Sequence, residues 1–171
     1  METLPNHSLS IVIIMRVLIK NQQKSAKLDR RKISRDSKKI LGRLGLDNAE
    51  LSILLLDDLA MKDMNARYRG KDKPTDVLSF PQEELSAISY QLSAKKSKVF
   101  ILGDIVINIE AAKRQAPEHG LSFMEEMRWL LIHGILHLIG YDHEKSKYAE
   151  RKMREKEKEF LDYLEEELNA C

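Results

Sequence analysis

Apolar positions recur along the chain in two periods, and these periods divide it into elements. Residues 10–19, SIVIIMRVLI, are almost continuously apolar and rich in β-branched side chains, the pattern of a buried strand. From Asp29 the pattern changes. In DRRKISRDSKKILGRLGL the residues Ile33, Ser37, Ile40, Leu41 and Leu44 recur near helical spacing, which predicts a helix with one apolar stripe ending at Gly45. ELSILLLDD (50–58) returns to strand character, and LAMKDMNARYRG (59–70) reads as a helix with Leu59, Met61 and Met64 inward and Gly70 as its stop. Pro74 forces Lys73 out of helical geometry, so KDKPTDVLSF is a loop turning into a short strand.

Residues 81–97 are polar with weak periodicity, the mark of a loop or hairpin excursion. KVFILGDIVINI (98–109) is strand material that Gly103 and Asp104 are expected to split. EAAKRQAPEHG starts helical and breaks near Pro117. Ser122 followed by Glu125 predicts a capping box that opens a helix through FMEEMRWLLIHGILHLIG. Last comes a long charged helix, KSKYAERKMREKEKEFLDYLEEEL, with Tyr148, Met153, Phe160 and Leu164 as sparse apolar anchors. Strands and helices alternate in a way that makes helices available to both sides of one sheet.

Composition narrows the chemistry. A chain of 171 residues suits one domain with a proper core. Its single cysteine, Cys171, permits no disulfide within the chain and no cysteine-based zinc site, so any metal is held by histidines and carboxylates. The apolar run Leu9 to Ile14 falls far short of the roughly 20 residues a membrane span needs. It also lacks the basic residues and cleavage site of a signal peptide, so a cytoplasmic protein is expected. Net charge is +2 but unevenly placed: residues 1–47 carry 11 Lys and Arg against 4 Asp and Glu. This basic excess reads first as a solvated helix face, with attraction for a polyanion such as RNA as the alternative.

Candidate chemistry concentrates in HGILHLIGYDH (133–143), which holds three of the five histidines. At about 100° per residue, His133 and His137 lie on one helix face, one turn apart. On a continuing helix His143 would point away. Gly140 is placed to turn the chain and bring it back. Three neutral imidazoles with an open fourth position make a hydrolytic metal centre, where bound water loses its proton near neutrality and an anionic substrate is welcome. The spacing is that of metzincin proteases, but those enzymes place Glu directly after the first His as general base, and here that residue is Gly134. A substrate that needs charge stabilisation more than proton removal, such as a phosphodiester, fits better.

Three segments together resemble the YbeY family of bacterial metallo-endoribonucleases: HGILHLIGYDH, NARYRGKDKPTDVLSFP (65–81) and LGDIVIN (102–108). The resemblance runs from about Met15 to Leu164. It implies an α/β (α+β) fold, a single domain with a mixed four-stranded sheet, helices packed on it, and a zinc site at the C-terminal end of a core helix. It implies that His133, His137 and His143 bind one Zn²⁺ per chain and that Arg69 serves in the substrate cleft, where a guanidinium can clamp phosphate. It implies a single-strand-specific endoribonuclease acting on small-subunit ribosomal RNA, in 3′-end maturation and ribosome quality control. Ribosomal proteins and an RNA-binding GTPase are the implied associates. Family members begin near MRVLIKNQ, so residues 1–14 read as an extension to a catalytic domain spanning 15–171.

Several readings stay open at this level. Arg69 pairs with Asp72 or Asp76 if it is a surface residue. Asp142 either orients an imidazole or caps the next helix. Asp104 either caps its strand, orients a neighbour or meets a protein partner. Thr75 and Asp76 read as loop-forming residues, and Lys71 and Lys73 as either solvated or in contact with RNA backbone. The rival function is a non-catalytic ribosome-assembly factor with a structural metal; a peptidase using Glu144 or Asp142 as its base is the third.

Overall fold

The computed structural model describes residues 15–82 and 99–169. The elements run β1 (Arg16–Asn21), α1 (Arg30–Arg43), β2 (Ala49–Leu56), α2 (Asp58–Arg69), β3 (Val77–Pro81), β4 (Phe100–Asn108), α3 (Ile109–Glu118), α4 (Phe123–Leu138) and α5 (Lys147–Asn169). The strands form one mixed sheet in the order β1-β2-β4-β3, with β1 and β2 parallel, β2 and β4 parallel, and β3 antiparallel to β4. This is the single-domain α/β arrangement with a four-stranded mixed sheet expected from the sequence. The polar segment at 81–97 and the residues before Met15 lie largely outside the described residues, as does Cys171.

Alternation along the strands sorts side chains to two faces. Leu51, Ile53 and Leu55 of β2, with Leu102, Ile105 and Ile107 of β4, are fully buried in the main core with Ile40 and Leu41 of α1, Leu130, Ile132 and Ile135 of α4, and Met153, Phe160 and Leu164 of α5. The opposite face carries a smaller cluster, Leu56, Met61, Leu78 and Val106, covered by α2. Burial of each such side chain stabilises by about 1.5–3 kcal/mol, so the larger cluster fixes where α4 lies.

Two local expectations are corrected here. Gly103 and Asp104 do not split their strand. β4 runs unbroken through both, and the extra residue Leu102 is absorbed as a bulge opposite Glu50 and Leu51. Leu59 and Tyr148 are not inward anchors: they are 72% and 57% exposed. Helix α2 covers only part of the sheet and turns Met61 and Asn65 to it, which leaves Leu59 outside.

Helix α4 is held at a fixed height on the sheet. Ser122 accepts from the Glu125 amide while the Glu125 carboxylate accepts from the Ser122 amide, the predicted capping box. Arg128 donates to the buried carboxylate of Asp36 on α1 at 3.1 Å. At mid-helix Gly134 lies against β4: a Cβ there would sit 2.9 Å from Ile105 Cγ2. The carbonyl of Gly134 accepts from Ser79 of β3 at 3.2 Å, tying the edge strand to the helix. The glycine that stands where the proteases have their general base therefore packs directly against the sheet, where any larger side chain would have to displace Ile105.

Candidate metal centre

Helix α4 carries His133 and His137, and its end returns His143. The Gly140 amide donates to the His137 carbonyl and the Tyr141 amide to the Leu136 carbonyl, both at 3.0 Å. With Gly140 at φ +94°, this is a Schellman ending, and glycine adopts it without steric cost. Asp142 then accepts from the Glu144 amide at 2.9 Å and faces Lys145 at 3.7 Å, which shapes the loop. Neither reading of Asp142 is realised among the described residues: it makes no hydrogen bond to an imidazole, and the next helix is capped by Ser146, whose hydroxyl accepts from the Ala149 amide at 3.1 Å.

The turn brings the three imidazoles together, with one ring nitrogen from each of His133, His137 and His143 within 4.8 Å of the others. The Nε2 atoms of His133 and His137 are 3.1 Å apart. Their neighbours decide what those nitrogens can do. His133 Nδ1 lies 2.7 Å from Glu157 Oε1 on α5, which holds the proton on Nδ1 and leaves Nε2 of the neutral ring a bare lone pair. The second carboxylate oxygen of Glu157 accepts from Trp129 Nε1 at 3.1 Å. His143 Nδ1 is buried and has no hydrogen-bond partner among the described residues. Burial and the two neighbouring imidazoles hold the His137 pKa below its ordinary value, against the opposing influence of Asp142 and the Tyr141 backbone. The lone pair left on His133 Nε2 and the lowered basicity of His137 suit a shared cation, and two nitrogens bound tetrahedrally at about 2.05 Å would stand roughly 3.3 Å apart. The residues present therefore fit a divalent cation.

Around the histidines opens a cleft of about 660 Å³, lined among others by Arg69, Thr75, Asp76, Ser79 and Trp129. Arg69 lies at the C-terminus of α2 and forms no ion pair among the described residues. Asp72 instead faces Lys62, and Asp76 accepts from Thr75, the Val77 amide and Gln115. The surface-pair reading of Arg69 is thus not realised, while Thr75 and Asp76 shape their loop and line the cleft at once. The loop is pinned from below by Asn108, whose amide donates to the Asp76 carbonyl and whose side chain donates to the Thr75 carbonyl and to Asp58. Lys71 and Lys73 are exposed on the same loop.

Asp104 is not in this cleft. It lies on the other face of the sheet, where it accepts from Gln82 at 3.3 Å and lines a separate apolar groove with Leu18, Leu54 and Tyr68. The basic residues of α1 lie exposed or half-buried on its outer face, and among its charges only Asp36 is buried. No helix among the described residues is long and apolar enough to cross a membrane.

Glu157 and Trp129 were not anticipated as site residues. A signal was present for Glu157: it shares the apolar stripe of α5 with Met153, Phe160 and Leu164, and an acidic residue on a buried stripe needs a partner.

Comparison with known proteins agrees with the geometry. A family model described as Endoribonuclease YbeY matches residues 18–165. The Endoribonuclease YbeY of Persephonella marina is 44% identical over 153 residues, covering 90% of each chain. That of Aquifex aeolicus is also 44% identical over 153 residues, covering 90% of this chain and 94% of its own. The solution structure of TM1509 from Thermotoga maritima aligns with a TM-score of 0.62 at 27% identity, covering 92% of this chain and 93% of that one.

Proposed function

The chain belongs to the YbeY endoribonuclease family, and on that premise we propose that it hydrolyses single-stranded RNA in the cleft lined by Arg69, His133, His137 and His143. We read its substrate as small-subunit ribosomal RNA, cut near the 3′ end during maturation and in ribosome quality control. Ribosomal proteins and an RNA-binding GTPase are its associates in this reading, and the cytoplasm its compartment. Residues 15–171 make up the catalytic domain, with 1–14 an extension.

One observation carries the reading: three imidazoles meet in the cleft that also holds an arginine with no ion pair among the described residues. His133, His137 and His143 would hold one divalent cation, taken here as zinc, which when bound supplies Lewis acidity and lowers the pKa of water in the cleft. Arg69 holds the scissile phosphate and meets the charge that grows on it in the transition state. Glu157 keeps the His133 ring in the tautomer and orientation that offer Nε2. Because position 134 supplies no base, the chain contributes charge stabilisation and positioning rather than proton abstraction at that point. The enzymatic reading is the one the family carries, and neither a purely structural metal nor a peptidase accounts for Arg69.

The test uses an end-labelled single-stranded oligoribonucleotide and its duplex. The parent protein cuts the single strand and spares the duplex, and His137→Ala stops the cutting while circular dichroism shows a folded chain. Cyclic phosphate ends identify the RNA 2′-hydroxyl as nucleophile; cutting that persists when the nucleotide 5′ of the bond is 2′-deoxy identifies water. Cutting that persists in His137→Ala, or none by the metal-loaded parent, overturns the reading.

A further inference from the structure

Helix α1 opens on Arg30, Arg31 and Lys32, and its first turn holds no acidic residue. Positive charge at a helix N-terminus opposes the helix dipole, so the stability of α1 gives no reason for it. The place of these side chains supplies one. An open groove of about 700 Å³ lies between α1 and the edge strand β1, and Arg30, Arg31, Arg35, Lys38 and Lys39 line it. Arg31, Arg35 and Lys38 follow one another at helical spacing and make a stripe about 10 Å long. Val17 and Ile19 form the β1 side, and no acidic residue among the described residues lines the groove.

Little of this charge is neutralised within the chain. Lys39 pairs with Glu167 at 2.9 Å, and Arg35 faces Asp36 at 3.8 Å, but Asp36 is buried and already holds Arg128. Arg30, Arg31 and Lys38 are exposed and form no ion pair among the described residues. Cations crowded on one surface repel each other and attract a polyanion, and guanidinium forks suit phosphate oxygens. The groove is separate from the histidine cleft. The two share no lining residue, and the cleft lies against β3, the outer strand at the opposite edge of the sheet from β1. Three strand spacings of about 4.8 Å put roughly 15 Å between those edges.

Resting on the reading of that cleft as the RNA-cleaving site, we propose that the α1 groove is a second RNA-binding surface, which holds the phosphate backbone of the same strand away from the cut. Contacts to phosphate carry no sequence information, so the surface adds affinity and fixes how the strand lies without choosing the bond.

The test measures binding, so it does not depend on cleavage. A fluorescently labelled single-stranded RNA of about 30 nucleotides is titrated with the parent and with two triple variants, and anisotropy is read while a gel shows the strand intact. One variant is Arg31→Gln with Arg35→Gln and Lys38→Gln. The control, Arg151→Gln with Arg154→Gln and Lys158→Gln, removes equal charge from the exposed face of α5. Circular dichroism checks that both are folded. The α1 variant is expected to bind about 10–100-fold more weakly near 0.1 M salt, with a log–log salt slope smaller by about 2, the effect of three lost phosphate contacts. The control is expected to lose less than about threefold. No loss in the α1 variant overturns the proposal. Equal loss in both also overturns it, since net charge then carries the attraction. Polyglutamate that displaces the labelled strand as readily as unlabelled RNA does overturns the assignment to RNA in favour of an acidic protein. Binding that depends on α1 in a parent that cuts no RNA supports this surface and removes the nuclease reading.

Discussion

Glu157 Oε1 lies 2.7 Å from His133 Nδ1, a contact made across 24 positions of sequence and between two helices. The carboxylate is buried and divided between two donors, His133 and Trp129. It therefore sets which nitrogen of His133 faces the other imidazoles. Glu157→Gln keeps the shape but puts an N–H donor against one of those two donors. The expected result is a metal affinity lower by about 10–100-fold, measured by competition with a chromophoric chelator, in a protein that remains folded. An unchanged affinity contradicts the orienting role.

Arg69 is predicted to act on the substrate and not on the fold. Arg69→Ala should lower kcat by about 10²–10³ with melting temperature nearly unchanged, because no ion pair is lost. Arg69→Lys should recover only part of the activity, since an ammonium cannot form the two parallel bonds a guanidinium gives to phosphate. Full recovery by lysine would mean that charge alone suffices.

Gly134 is predicted to be intolerant of any side chain. Gly134→Ala drives a methyl group to within about 3 Å of Ile105 and pushes the helix from β4 and Ser79. A loss of about 1–3 kcal/mol in urea denaturation is expected. By the same argument Gly134→Glu yields an unfolded chain and not a peptidase. A stable Gly134→Ala protein would show that the helix can lift away freely.

Asp58 provides a pH signature away from the metal centre. Its pKa is held below the ordinary value mainly by hydrogen bonding to Arg114, helped by Asn108 and opposed by burial. A carboxylate depressed in the folded state contributes stability above its unfolded pKa, and the contribution is lost as pH falls through the folded one. The difference in melting temperature between the parent and Asp58→Asn should thus be full near neutrality, shrink below about pH 3.9 and vanish in stronger acid. A difference that does not change with pH would assign the effect to packing.

Much of the site was legible in the sequence, for a physical reason. His133, Gly140 and His143 act within one helix and its turn, where periodicity and glycine preference fix geometry, and the capping box at Ser122 and Glu125 is equally local. What the pattern missed depends on the facing element. Leu59 has helical spacing with Met61 but lies outside because α2 covers only part of the sheet. Gly103 looked like a strand breaker and is instead accommodated by a bulge whose partner is β2. Glu157 and Trp129 join the site only once α5 packs on α4, and no local rule brings those helices together. Arg69 came from a motif resemblance; its freedom from Asp72 and Asp76 is visible only in the folded loop.

Whether three imidazoles share one cation is decided by elemental analysis of the protein purified without a histidine tag. About one divalent ion per chain is expected in the parent, lost in His137→Ala and weakened in Glu157→Gln. A parent that carries no ion after dialysis against a divalent metal, or a His137→Ala protein that retains a full equivalent, would contradict it.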